Sequence, residues 1–184
     1  ILGDMITAFQ KVIDYYIATV PTLGGEADTN ARERLTAVGS AAVLMLADAY
    51  LREYLNDPKK VIQLTDDLER KYPGIVKTAS IGPLYMKRMQ AAYFAIKAAK
   101  TVAEIPPLLQ TVETSWKDAQ KYPFEFLDRA AGIGAYSHLE LASRIEAQAK
   151  ATPDAAAKKA LEAQAAQARF RSLDFYVELF KVAP

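Results

Sequence analysis

The chain has 184 residues, 51% of them hydrophobic, which is enough to bury a core as one domain or as a short array of repeats. Lys plus Arg number 23 against 22 for Asp plus Glu, and a net charge of +1 gives no electrostatic footprint for nucleic acid or an anionic membrane. Cysteine is absent, which excludes disulfides, thiolate catalysis and thiolate metal sites together and leaves the compartment open between a bacterial periplasm and a cytoplasm.

Ala, Leu, Ile and Tyr supply most of the apolar content, and no β-branched run reaches strand length, so helices are expected throughout. The first spans about 3–19, with Met5, Ile6, Phe9, Val12, Ile13, Tyr16, Ile17 and Val20 on a broad apolar face before Pro21 stops it. The start Ile1-Leu2-Gly3 lacks an initiator Met. Together with the Pro-terminated pattern of the first helix, it suggests a piece of a longer chain whose preceding hairpin half is missing. The turn-rich stretch 21–30 follows, with Asp28, Thr29 or Asn30 available as a cap.

The second helix is expected over 31–55, apolar almost all round and therefore central. Charges at Asp4, Lys11, Asp14, Asp48 and Arg52 interrupt the best apolar runs, so no membrane span of about 18 residues is expected. Asp57 then caps a helix that Pro58 begins and Tyr72, Pro73 and Gly74 end, with Val61, Leu64, Thr65, Leu68 and Tyr72 spaced by three and four along it. The fourth helix starts at Gly82-Pro83 and carries Leu84, Tyr85, Met86, Met89, Tyr93 and Ile96.

For the fifth, Thr101 and Glu104 have capping-box spacing, yet Pro106 and Pro107 place the regular part at 106–122, with Leu109, Val112, Trp116, Ala119 and Tyr122 buried. A sixth, 124–150, contains Gly132 and Gly134, each costing about 1 kcal/mol against Ala, which implies a close helix crossing there. Thr152, Pro153 and Asp154 start a seventh at 153–182. Its first half is rich in Ala, Lys and Gln, and its burial is expected in 170–180.

Seven helices thus alternate between long first members and second members ending in Pro. Ala47, Ala49 and Tyr50, the Asp57-Pro58 turn and the Lys71-Tyr72-Pro73-Gly74 close, echoed by Trp116, Ala119 and Lys121-Tyr122-Pro123, resemble the tetratricopeptide superfamily, above all the irregular arrays of bacteria. The step from Pro73 to Pro123 is longer than the family repeat of about 34 residues, and the family's Trp-Leu-Gly-Tyr pattern is not reproduced. The resemblance implies an all-α, right-handed solenoid or helical array of antiparallel hairpins, forming one domain over 1–184. Its hairpins would fall at about 30–74, 82–123 and 124–184, with 1–21 closing an earlier one.

Chemistry-bearing patterns are sparse. His138 is the only histidine, and its helical neighbours Gly134, Ala135, Leu141 and Ala142 offer no second metal ligand. Asp66-Asp67 lies on a charged face, and Gly24-Gly25 and Gly132-x-Gly134 lack the context of a phosphate loop. Asp48, set in the most apolar helix, is expected to bond a neighbouring helix. No catalytic residue, cofactor or metal is assigned.

Tyr50, Tyr54, Tyr85, Tyr93 and Tyr136 fall on the long first members, which line the concave surface of a tetratricopeptide-like stack. With Arg88, and with Arg34, Arg52, Arg129 and Arg144 on the same helices, they either fill the core or line a groove for a protein or peptide partner. The function expected is a non-enzymatic interaction or scaffold module. The alternatives are a helical domain of a larger enzyme, a small-ligand binder with a pocket near Trp116 and Tyr93, or an oligomerisation arm.

Overall fold

The computed structural model describes residues 2–52, 55–122 and 124–182. Among them the chain is all-α, with eight helices: α1 Leu2–Thr19, α2 Thr29–Leu51, α3 Pro58–Leu64, α4 Leu68–Lys71, α5 Ile81–Ala98, α6 Ile105–Ala119, α7 Leu127–Ala151 and α8 Ala155–Val182. The broadest contacts join α1 to α2, α5 to α6 and α7 to α8, while α3 lies between α2 and α5.

The starts follow local chemistry. The Asp57 carboxylate accepts from the Lys60 amide at 3.2 Å, with Pro58 at the first position of α3, and Asp154 accepts from the Ala157 amide at 2.7 Å at the head of α8. Thr101 and Glu104 do form a capping box, but around a short 3-10 turn, and α6 begins only at Ile105 so that both prolines sit in its first turn.

The expected single helix over 58–72 is two. The Thr65 hydroxyl donates to the Val61 carbonyl at 2.6 Å, Asp67 adopts a left-handed φ of 51°, and the path bends between α3 and α4. Three side chains satisfy the carbonyls freed at the bend. Lys71 Nζ donates to Gln63 O at 2.8 Å, Tyr72 Oη to Leu64 O at 3.0 Å, and the Arg88 guanidinium to Thr65 O at 3.0 Å.

Close helix contacts depend on two glycines. A Cβ on Gly39 would stand 2.2 Å from the Tyr16 ring, and one on Gly134 2.2 Å from the Phe175 ring, so α1 and α2, and α7 and α8, approach until an aromatic fills the missing side chain's volume. Gly132 is different. Its Cβ would meet only Leu179, at 3.7 Å, so the crossing expected at both positions belongs to Gly134 alone.

Buried residues form two clusters rather than one. The first gathers Ile13, Tyr16, Val43, Leu46, Val61, Tyr72 and Leu84. The second gathers Met89, Ile96, Leu109, Val112, Trp116, Ala131 and Phe175, and Ile62, Phe124 and Leu127 pack against both.

In α1, Ile13 and Tyr16 are covered, while Met5, Tyr15 and Ile17 remain exposed. The segment Glu26–Leu51 is long and apolar enough to cross a membrane by length and composition, but half of its most apolar window is buried inside the fold, as befits the central helix expected here.

Candidate functional site

A groove of about 690 Å³ crosses the surface of α1, α2 and α5 and reaches the start of α7. Its apolar lining comes from Met5, Phe9, Leu44, Met45, Met86 and Phe126. Helical spacing explains the set: Met5 and Phe9 are four apart on α1, and Met45 and Ala49 four apart on α2, so each pair faces the same way. Three of the chain's four methionines lie here, and flexible, polarisable thioethers suit a surface that accepts more than one apolar shape.

Charged side chains share the lining with the apolar ones. Asp48 Oδ1 accepts from Lys87 Nζ at 2.7 Å, bridging α2 to α5, and its Oδ2 accepts from Arg52 Nη2 at 2.8 Å. Partial burial opposes the Asp48 charge, but the hydrogen bonds from Lys87 and Arg52 outweigh it and hold the carboxyl below its usual range. The neighbouring-helix bond expected of Asp48 is therefore present.

Arg129 lies over the Phe126 ring at 4.3 Å and, among the described residues, has no carboxylate at ion-pair distance. Among the described lining residues the cations are Arg52, Lys87 and Arg129 and the carboxylate is Asp48.

The candidates singled out from the sequence are dispersed. Tyr50 is half-buried with Lys60 Nζ 5.3 Å from its ring centre, and Tyr54 lies outside the described residues. Tyr85 is buried and stacked on Tyr122 at 6.2 Å. Burial, with the Asp118 and Glu69 carboxylates adding, pushes its hydroxyl up to about 12.

Arg88 is occupied at the α3–α4 bend, where it also meets Asp66 at 3.0 Å. Tyr93 sits beside Phe94 and Lys97, and Tyr136 is exposed on α7. None of the five described candidates, Tyr50, Tyr85, Arg88, Tyr93 and Tyr136, lines the groove, whereas Arg52 and Arg129 do. Each methionine fits the apolar stripe of its own helix, and only their convergence from three helices sets them apart.

A second cleft, of about 870 Å³, lies between the first half of α2 and the loop before α5. It is lined by Arg32, Glu33, Lys77 and several hydroxyls, of which Ser40 Oγ donates to Ala37 O and Thr78 Oγ1 to Ile75 O, committing those two protons. Neither cavity is lined by Trp116 or Tyr93.

His138 is buried between α6 and α8. Its Nε2 stands 3.1 Å from Glu113 Oε1 outside hydrogen-bond geometry, and its ring stacks on Phe175 at 5.6 Å. Burial lowers its pKa, Glu113 opposes that, and Arg171, bonded to the same carboxylate oxygen, reinforces it. Among the described residues no three His, Asp or Glu side chains gather to hold a metal ion.

No known protein family, no curated protein and no solved structure matches this chain.

Proposed function

We propose that the chain is a non-enzymatic, tetratricopeptide-like interaction module that binds a peptide or protein segment in the methionine-lined groove. The groove itself carries the reading: an apolar lining built from several helices and interspersed with the cations Arg52, Lys87 and Arg129 is the chemistry that takes an amphipathic segment with apolar anchors and acidic flanks. Its walls come mainly from α2 and α5, two of the long first members, with Met5 and Phe9 of α1 and the start of α7 completing them.

Selection of displayed peptides on the immobilised full chain tests this. Enriched sequences should combine apolar residues at helical spacing with Asp or Glu. Met45→Glu, at an exposed position, should abolish binding with an unchanged circular dichroism spectrum, and Arg129→Glu should slow association and flatten its salt dependence. Equal binding by wild type and both variants would contradict the proposal.

The alternative, a small-ligand site, is favoured only by the second cleft, where Arg32 Nε is shielded from solvent and unbonded. A small carboxylate that raises the melting temperature of wild type but not of Arg32→Gln would support it.

A further inference from the structure

The inner face of α8 buries Ala165, Ala168, Ser172 and Phe175. On its outer face, Ala163, Ala166, Phe170, Leu173, Val177 and Phe180 recur at alternating steps of three and four, and all six are exposed. The four large ones are 68%, 56%, 53% and 79% exposed, in that order. Burial was expected across 170–180, but only one side of this stretch is covered.

We propose that this outer face is a self-association seam on which a second copy of the chain docks in parallel. Steps of three and four average 3.5 residues, the repeat that keeps one stripe facing a partner helix along a left-handed supercoil. Phe170, Leu173, Val177 and Phe180 together present an apolar patch of a few hundred Å², the size that marks a contact surface. A free peptide would need about three or four heptads to pair. Here α8 is already held helical by its packing on α7, so a shorter seam suffices.

The flanking charges identify the occupant. In a parallel pair, the residue before each first stripe position faces the residue five further along on the other helix. Arg169 then meets Asp174 of the second copy, Tyr176 meets its Lys181, and Glu162 meets its Gln167. No like charges oppose. In the antiparallel register that layers Phe170 on Phe180, Asp174 would instead lie against Asp174 of the second copy.

Within one copy Arg169 already bonds Glu146 at 2.6 Å, and a guanidinium with five donors can bridge both carboxylates. Asp174 Oδ2 accepts from Arg171 Nη1 at 3.3 Å within its own copy, but its side chain is 64% exposed and a carboxylate can accept a second donor. A stripe this short lies near the small end of stable interfaces, so the dimer should be reversible, with a dissociation constant of roughly micromolar order. α8 contributes no residue to the groove, so the seam and the groove are separate surfaces.

Analytical ultracentrifugation of the full chain over a concentration series is the test. Wild type should pass from monomer to dimer, and Leu173→Glu combined with Val177→Glu, both at exposed sites, should stay monomeric with unchanged helix content. Arg169→Glu and Asp174→Arg should each weaken the dimer, and the double reversal should restore it.

Because the chain lacks cysteine, Phe180→Cys should cross-link to its own counterpart under mild oxidation only if the helices run parallel. A wild type that stays monomeric at several hundred times the expected constant would overturn the proposal. So would a dimer indifferent to the stripe substitutions, or one that Phe180→Cys cannot cross-link.

Discussion

At the N-terminal end the ring of Tyr16 fills the space above Gly39, and at the C-terminal end the ring of Phe175 fills the space above Gly134. Both positions join a helix pair through an aromatic seated on a glycine, but their neighbours differ. Tyr16 stacks on Tyr72 at 6.5 Å and donates its hydroxyl to the Pro73 carbonyl at 2.7 Å, so its one polar atom is satisfied. Phe175 instead has Trp116 at 6.0 Å on one side and the titratable ring of His138 on the other.

The same packing device therefore gives two stabilities with different pH responses. Burial, then Tyr72, pushes the Tyr16 hydroxyl up to about 12, so the N-terminal contact weakens only as pH rises past about 10, where the unfolded tyrosine ionises. The C-terminal contact is exposed to acid through His138.

The comparison can be broken most strongly at Trp116, which is buried in the second cluster only. Trp116→Ala should cost about 3–5 kcal/mol, a large share of the roughly 5–15 kcal/mol available to a domain, and thermal unfolding should show a much lowered midpoint.

Next come the glycines. Gly39→Ala and Gly134→Ala should each cost about 1–3 kcal/mol, because the new Cβ collides with the base of the Tyr16 ring in one case and the edge of the buried Phe175 ring in the other. Gly132→Ala, in ordinary contact distance of Leu179, should stabilise by about 0.5–1 kcal/mol through helix propensity. Urea denaturation of the three variants checks both signs.

The pH response is the third test. His138 has a lowered folded pKa, so the unfolded chain binds a proton more readily, and the stability held above the unfolded value of about 6.5 is lost as pH falls through the folded value. The melting temperature should drop between pH 7 and pH 5, and His138→Gln should flatten that slope while leaving the Tyr16 side unchanged. A slope unaffected by His138→Gln would place the acid sensitivity elsewhere. The smallest effect is expected at exposed Glu162, where replacement by Ala should change stability by no more than about 0.5 kcal/mol.

Signals carried within a few residues were legible in the sequence. The Asp57-Pro58 start, the Gly74 stop at a φ of 78° and the burial of Trp116 follow from capping, backbone freedom and periodicity. The bend at Thr65–Asp67 is hidden because the apolar spacing continues through it, and one of the three side chains that stabilise it is Arg88, twenty-odd residues away. Gly39 looks like any helical glycine until Tyr16 arrives from another helix. On α8 the sequence shows two apolar faces without showing which one α7 covers. Of the groove, Arg52 and Arg129 stand on helices that the sequence singles out, but the share of α1 and the convergence of Met5, Met45 and Met86 are properties of the packing.

The groove draws α1 and α2 from one end of the molecule and the start of α7 from the other, with α5 between them. Its use as a binding surface is tested most directly by the methyl resonances of the four methionines during titration with a selected amphipathic peptide. Met89, fully buried in the second cluster, is the internal control. Met5, Met45 and Met86 should shift and saturate together while Met89 stays in place. Peptide binding that leaves Met45 and Met86 unmoved would contradict the assignment of the groove.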